Sequence, residues 1–483
     1  MSFFRLPSRH DIVLGTTAPP LPHPQFRLSP EDQSYHATVW GRTGSGKSKL
    51  LQSVFLQHLS KGHGVGLIEP HHDLSWDTLT YLVGKRFFRK PDAFERLVYL
   101  DWGNGAFVPF NVLSGEDPIR VASNAFAAVC RVWPELEEAP LFKRLFSSAV
   151  TALAVNQLPI TYLYKFLTDA DFRANCMVKV DHELVQDVIA SYEQLGRDQV
   201  QAAGSTLNRA FALSFTPETE STLGQRENWL DFRKMMDEGR SFIINLGNVH
   251  DPEARKLIGA LLMMSIEQAA LSRTDLLPSE RRPFTLLVDE WPSFAAQDKT
   301  IATILSQTRK FNLRLYLAAQ SLSQISSERL AGAIENCRLT IAFGLGRDSA
   351  EVQAKHIGTA DAFAIKEEAH TETQHAQYLS TVEQFESWIQ ELQNLPARTA
   401  YVKLHDKPAV RIKTLNVTQP EVNADEVERV LAYYRQRYQR SADEVRRSAK
   451  LVEDQEVPTI SVGSNGAIKI PAYANLFTKL FDD

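Results

Sequence analysis

The sequence predicts an α/β fold: a mostly parallel sheet with helical crossovers, an inserted all-helical domain and a helical C-terminal extension. Three observations carry this. Seven short runs rich in Val, Ile, Leu and Phe (Ala37 to Gly41, Gly64 to Pro70, Arg96 to Trp102, Ser241 to Gly247, Phe284 to Asp289, Arg314 to Gln320 and Leu339 to Leu345) lack polar alternation, as strands buried on both faces do. Helical-period segments, Lys47 to Ser60, Glu253 to Ser272 and Lys299 to Phe311, lie between several of them, as crossovers must. Between Pro118 and Arg226 the strand signal gives way to helical period alone.

Taken in order, the residues before the first run form an N-terminal arm, 1–34. Its Pro19, Pro20, Pro22, Pro24 and Pro30 remove backbone donors and suit an extended arm or a short edge strand. An ATPase domain is expected over 35–116 and again over 227–420, split by an inserted helical domain, 117–226, with helices over Ile119 to Cys130, Leu141 to Leu153, Leu184 to Gln194 and Asp198 to Phe211. Thr399 to His405 and Ala409 to Leu415 read as a closing antiparallel pair around the Asp406, Lys407, Pro408 turn. The extension, 421–483, opens with one helical stretch, Ala424 to Lys450, whose mixed charges suit a solvated face. Its apolar end, Leu476, Phe477, Leu480 and Phe481, suits docking on the core or on a neighbour. No internal repeat is present.

With 483 residues, 43% of them hydrophobic, the chain can bury more than one core, and disordered, collagen-like and disulfide-scaffold classes are excluded. Cys130, Cys176 and Cys337 are too dispersed for a zinc or dithiol motif, which fits a reducing cytosol. The longest apolar stretch, Leu257 to Ile266, stops at Glu267 and Gln268, short of the roughly 20 residues a membrane span needs. The first residues, Met1 to Leu14, fit neither a signal peptide nor an anchor. A net charge of −5 gives no global attraction to nucleic acid, so any such site must come from local clustering or from assembly.

The chemistry centres on Gly41-Arg42-Thr43-Gly44-Ser45-Gly46-Lys47-Ser48. It follows an apolar strand and opens a helix, the context of a P-loop, and all eight residues together with Lys49, the next helical residue, are expected to bind the nucleotide. Glycines let backbone N–H groups turn inward around phosphates, and the helix N-terminus favours anionic oxygens. Lys47 is expected on the β- and γ-phosphates of ATP, with Ser48 on Mg²⁺. Phe284-Thr285-Leu286-Leu287-Val288-Asp289-Glu290 delivers two carboxylates at the C-terminal edge of a strand, where α/β sheets hold ligands. There Asp289 would hold Mg²⁺ through water, and Glu290 would orient and deprotonate the attacking water.

The order of P-loop, Ile68-Glu69-Pro70-His71-His72-Asp73-Leu74, Pro109-Phe110-Asn111-Val112-Leu113, helical insertion, Asp289-Glu290 strand, Gln307-Thr308-Arg309-Lys310 and Leu317-Ala318-Ala319-Gln320 resembles the TraG/TraD-type coupling ATPases of type IV secretion, in the HerA/FtsK superfamily of hexameric DNA motors. The resemblance covers about residues 35 to 415. It implies a RecA-like P-loop ATPase sheet, with Gln320 sensing the γ-phosphate and Arg309 presented to a neighbouring subunit's nucleotide. Arg347 competes for the latter role. Two departures stand out. Glu69 and His72 replace the family's usual aspartate and glycine, leaving a His71-His72-Asp73 cluster that reads as a structural or nucleotide-proximal loop in preference to a metal site. The second is the expected lack of an N-terminal membrane anchor.

The resemblance thus implies a cytoplasmic, Mg²⁺-dependent, ATP-driven DNA translocase. It would form a homo-oligomer, a hexamer, gripping DNA without sequence preference in its channel. A relaxase or secretion-channel proteins would be partners, and one of them could recruit the chain to the inner membrane face. The alternatives are a HerA-like DNA-processing or defence motor, and a secretion ATPase or ATP-switch module that handles protein.

Overall fold

A computed structural model describes residues 7–17, 24–103, 105–196, 203–294, 305–321, 337–359, 361, 365–367, 377–405, 407–445, 447, 461–462 and 468–469. They fall into two compact units, one of Met1–Trp102, Asp231–Asn248 and Ser265–Tyr434, the other of Gly103–Leu230, Val249–Met264 and Arg435–Asp483.

The first unit is built on an 11-stranded sheet. Its strands are β1 (Ile12–Thr17), β2 (Gln25–Leu28), β3 (Ala37–Trp40), β4 (Gly64–Glu69), β5 (Leu97–Asp101), β6 (Ser241–Asn245), β7 (Phe284–Val288), β8 (Leu313–Ala319), β9 (Leu339–Ala342), β10 (Thr399–Leu404) and β11 (Val410–Thr414). The spatial order is β2-β1-β11-β10-β9-β3-β8-β7-β4-β6-β5. From β9 to β5 every pairing is parallel. All seven expected strands are therefore present, and every residue of β3, β4, β6, β7 and β9 is buried, which is why their sequences show no alternation.

The order also shows what composition could not. After β3 the chain crosses through helix α1 (Lys47–Ser60) to β4, leaving room for β8 and β7 to insert between them. The antiparallel pair β10 and β11 forms as expected. The N-terminal arm is more than a strap, because β1 and β2 form a hairpin that extends the sheet beyond β11.

Sequence and structure differ at several places among the described residues. Helix Asp73–Gly84, here α2, was not anticipated, because its N-terminus is capped by Glu69 from the preceding strand. The expected helix Ala424 to Lys450 ends at Tyr438, and Arg440–Ser441 instead pairs with Ala106–Phe107. The reason is local: Ser441 Oγ accepts from the Glu444 N–H at 3.3 Å while Glu444 Oε2 accepts from the Ser441 N–H at 2.7 Å, a reciprocal cap that starts a new turn. Of the expected helix Lys299 to Phe311, residues 299–304 lie outside the described residues, as does the apolar end 476–481, and Thr308–Phe311 is a 3₁₀ turn.

In the second unit, helices cover Pro118–Val132, Pro140–Val155, Glu183–Gln194 and Gly204–Ser214; residues 198–202 of the last expected helix lie outside the described residues. Asp117 accepts from the N–H groups of Ile119 and Arg120, with Pro118 in the first turn, the arrangement that starts a helix most cheaply. Phe126, Phe142 and Phe146 pack as a ring cluster inside. All three cysteines are buried thiols.

Close packing on β4 makes a test. Gly66 faces Phe242, which stacks on Phe284 at 5.6 Å, and a Cβ at Gly66 would come 2.4 Å from Phe242 Cζ and 2.9 Å from Leu286 Cδ1. Gly66→Ala should therefore destabilise the fold by about 1–3 kcal/mol, read as a lowered urea midpoint. An unchanged midpoint would mean that the ring moves aside freely.

Candidate functional site

Three adjacent strands end at one sheet edge. Parallel register aligns Trp40 with Ala319, and Leu317 with Val288, so Gly41, Gln320 and Asp289 emerge side by side. The loop after Trp40 then turns on two glycines in left-handed conformations, Gly44 at φ 77° and Gly46 at φ 115°, a region that penalises side chains. Gly41 has no room for one either, since a Cβ there would lie 2.6 Å from Ser45 Oγ. The loop is braced from outside. Arg42 N–H donates to the Gly344 carbonyl at 2.9 Å, and Arg398 N–H donates to the Ser45 carbonyl at 2.7 Å.

Lys47 is buried, and its ammonium donates back to the Gly41 carbonyl while lying 3.6 Å from Glu290 Oε1. Ser48 Oγ is 3.4 Å from Asp289 Oδ2, and Thr43 Oγ1 donates to Gln320 Oε1 at 3.2 Å. The structure thus brings Lys47, Ser48, Asp289, Glu290 and Gln320 together around the loop. Burial, and then the neighbouring Glu290 charge, raise the Asp289 pKa above its ordinary value, with Lys47 opposing. Glu290 stands at φ 44°, an unusual conformation for a residue with a side chain. Its N–H donates to Asp289 Oδ1 at 3.2 Å.

Two expected site residues point elsewhere. The Lys49 ammonium donates to Asp77 on α2 and to Gln52. Arg309 lies in the turn before β8, at the strand's opposite end from Gln320, against the ring of Tyr35. The competitor Arg347 is already forked onto Glu386 at 2.7 and 2.8 Å and bonded to Glu351.

The residues present fit a nucleotide with Mg²⁺. The loop offers backbone N–H groups and a buried Ser45 hydroxyl without a partner, and Ser48 with Asp289 supplies the hard oxygen donors that this ion prefers. The His71-His72-Asp73 loop has a structural occupation: Asn245 Nδ2 contacts His72 Nδ1 at 2.6 Å and donates to Asp101 Oδ1 at 2.8 Å, and His72 stacks on Trp76. Among the described residues no group of three or more His, Cys, Asp or Glu could hold a metal ion. Sequence reasoning missed Arg398, which braces the P-loop at φ 65° and donates through Nη2 to the Thr414 carbonyl; no motif marks it. It also missed the cap made by Glu69, for which the helical pattern starting four residues later was the available signal.

Comparison with known proteins bears on the fold. Residues 283–397 match the family model described as the TraM recognition site of TraD and TraG. Searched by sequence alone, no curated protein matches the chain. Among solved structures, the bacterial conjugative coupling protein TrwB, without its first 70 residues and unbound, superposes with TM-score 0.58 at 16% identity, over 82% of this chain and 89% of that one. TrwB in complex with ADP and Mg²⁺ gives the same TM-score at 18% identity and the same coverage. VirB4 of Thermoanaerobacter pseudethanolicus gives 0.53 at 13% identity, over 84% and 96%. The fold is the RecA-like P-loop ATPase fold, shared with TrwB and VirB4, and the sequence match to the TraD and TraG family model extends over residues 283–397.

Glu69 provides a pH test. Burial raises its pKa to about 7 from 4.5, against the lowering effect of the Ser75 and Leu74 N–H groups, with Asp289 adding to the rise. The folded chain then binds more protons than the unfolded one between these values, so this group's contribution to stability is full below about 4.5 and is lost as pH rises toward 7. Denaturation across that window should show the wild type losing stability relative to Glu69→Gln, whose side chain does not titrate. Parallel profiles for the two proteins would refute the assignment.

Proposed function

We propose that this chain is a Mg²⁺-dependent ATPase of the conjugative coupling type, which assembles as a hexameric ring and drives DNA through its channel. The observation that carries the reading is the convergence of Lys47, Ser48, Asp289, Glu290 and Gln320 on one P-loop. The TrwB complexes with ADP and Mg²⁺ and with non-hydrolysable nucleotide analogues support the use of a nucleotide and this metal. The match to the TraM recognition site supports a DNA-processing partner of that kind. Among the described residues no helix is long and apolar enough to cross a membrane; the proposed place of action is the cytoplasm, with recruitment to the inner membrane face by a partner.

In this reading the loop amides with Lys47 grip the phosphates, and Lys47 exchanges its Gly41 carbonyl for phosphate oxygens. Ser48 and Asp289 hold Mg²⁺, which when bound neutralises phosphate charge. Glu290 sits within reach of Lys47 and takes the proton of the attacking water. Gln320 is bonded to the loop through Thr43 and ends β8, so it can report the phosphate's presence to the strand. Arg309, at the other end of β8, serves a neighbouring subunit.

Lys47→Ala should weaken nucleotide binding, whereas Glu290→Gln should bind ATP yet hydrolyse it at least 100-fold more slowly, since an amide accepts no proton. Binding and single-turnover measurements separate the two, and wild-type turnover in Glu290→Gln would remove the base assignment.

DNA should stimulate turnover, and only where the ring forms, because a net charge of −5 gives a lone subunit little hold on a polyanion. Affinity should fall steeply with salt and vary little among random sequences, as phosphate contacts dictate. Assembled rings that hydrolyse ATP but ignore both single- and double-stranded DNA would favour a protein-handling ATPase instead.

A further inference from the structure

At the sheet edge opposite the P-loop, two guanidiniums and an imidazole gather on one ring. Tyr35 has the guanidinium carbons of Arg309 and Arg338 at 4.0 and 4.8 Å from its centre and His405 edge-on at 4.4 Å. These residues stand at the amino ends of β3, β8 and β9 and at the carboxyl end of antiparallel β10. The cluster is firmly built. Arg338 Nη1 donates to Tyr35 Oη at 3.2 Å, and the His405 N–H donates to the Arg338 carbonyl at 2.7 Å. The Arg309 turn is pinned from behind, as Arg281 donates to the Lys310 carbonyl and the buried Arg273 to that of Phe311, each at 2.9 Å.

Among the described residues no carboxylate lies within ion-pair distance of Arg309 or Arg338. His405 has partners of its own, with Asp32 Oδ1 at 4.0 Å from Nε2 and Arg338 Nη1 at 3.4 Å from Nδ1. His36, next to Tyr35, accepts from the Leu315 N–H and stays neutral, its pKa lowered to about 4 by burial and then by Arg309. Lys310 adds another cation nearby. Two exposed guanidiniums held against one ring repel each other within a Debye length of about 8 Å. Contact with the ring holds both guanidiniums in place, and each keeps further N–H donors beyond the Arg338 Nη1 bond to Tyr35 for an acceptor from outside. A tetrahedral oxyanion with several acceptor oxygens is the ligand that such donors match.

We infer that Tyr35, Arg338 and Arg309 form a preorganised receptor for a phosphate group brought by another molecule, either a DNA backbone or the nucleotide of a neighbouring subunit. The inference rests on the motor reading and extends it, giving Arg338 a direct phosphate contact and Tyr35 a positioning role.

The test uses the full chain with Arg338→Ala, Arg338→Gln and Tyr35→Leu, each checked for the wild-type unfolding midpoint. DNA affinity across a salt series and DNA-free ATP turnover are measured on assembled rings. If the phosphate belongs to DNA, Arg338→Ala lowers the slope of log affinity against log salt by about 1. If it belongs to the neighbour's nucleotide, the slope stays and DNA-free turnover falls tenfold or more with nucleotide affinity unchanged. Tyr35→Leu should move the same readout in the same direction by less. Folded variants that alter neither readout, in a protein whose wild type binds DNA and hydrolyses ATP, would overturn this inference alone. A wild type that does neither would overturn the motor reading and the inference with it.

Discussion

The site depends on the register of three parallel strands. Trp40 beside Ala319 and Leu317 beside Val288 set the P-loop, the glutamine and the paired carboxylates at one edge. A slip of one residue in β8 would turn its side chains to the opposite face and carry Gln320 away from Thr43. The register is strongly held because β3 and β7 are wholly buried and β8 nearly so, with apolar residues on both faces, so no slipped pairing keeps the core dry. The geometry of the candidate site is thus a consequence of packing, and the loop needs only to be completed by its glycines and by braces from Gly344 and Arg398.

Burial then determines the electrostatics. Lys47, Asp289 and Glu290 are all nearly inaccessible, so each charge is expensive unless another answers it. Burial, and then the Glu290 charge, hold Asp289 above its ordinary pKa although Lys47 opposes them. A divalent ion between Ser48 and Asp289 would relieve that imbalance. The left-handed backbone at Glu290 is consistent with the same economy, since the residue is held where a carboxylate is needed and not where the chain would place it.

The strands, the P-loop and the carboxylate pair were legible because each rests on a local rule: unbroken apolar runs, glycines at fixed spacing, a strand ending in Asp-Glu. What stayed hidden depends on partners distant in sequence. Nothing in the arm says that β1 pairs with β11, some 400 residues on, and nothing near Arg398 says that its N–H holds Ser45. The helix break at Gln439 is a different failure, because Ser441-Ala442-Asp443-Glu444 carries a capping signature that the longer charged pattern obscured. Lys49 is instructive too, since its place in the motif suggested phosphate whereas Asp77 on α2 lies nearer.

The two ends of β8 deserve to be considered together. Gln320 leaves it at the nucleotide edge, and Arg309 precedes it at the other, across seven strand residues, or roughly 23 Å. A central strand with a neighbour on each side cannot slide by fractions of a residue without losing ladder bonds along its whole length, so in the proposed motor a signal received at Gln320 would not reach Arg309 by stretching β8. It can reach it only if the sheet moves as a body. Arg281, Arg273 and Tyr35 fix the Arg309 turn to that body at three points, which makes the arginine's position in space a report of the sheet's orientation. Coupling between subunits would then be a matter of rigid rotation at interfaces, with the stiffness of this one strand ensuring that both ends turn together.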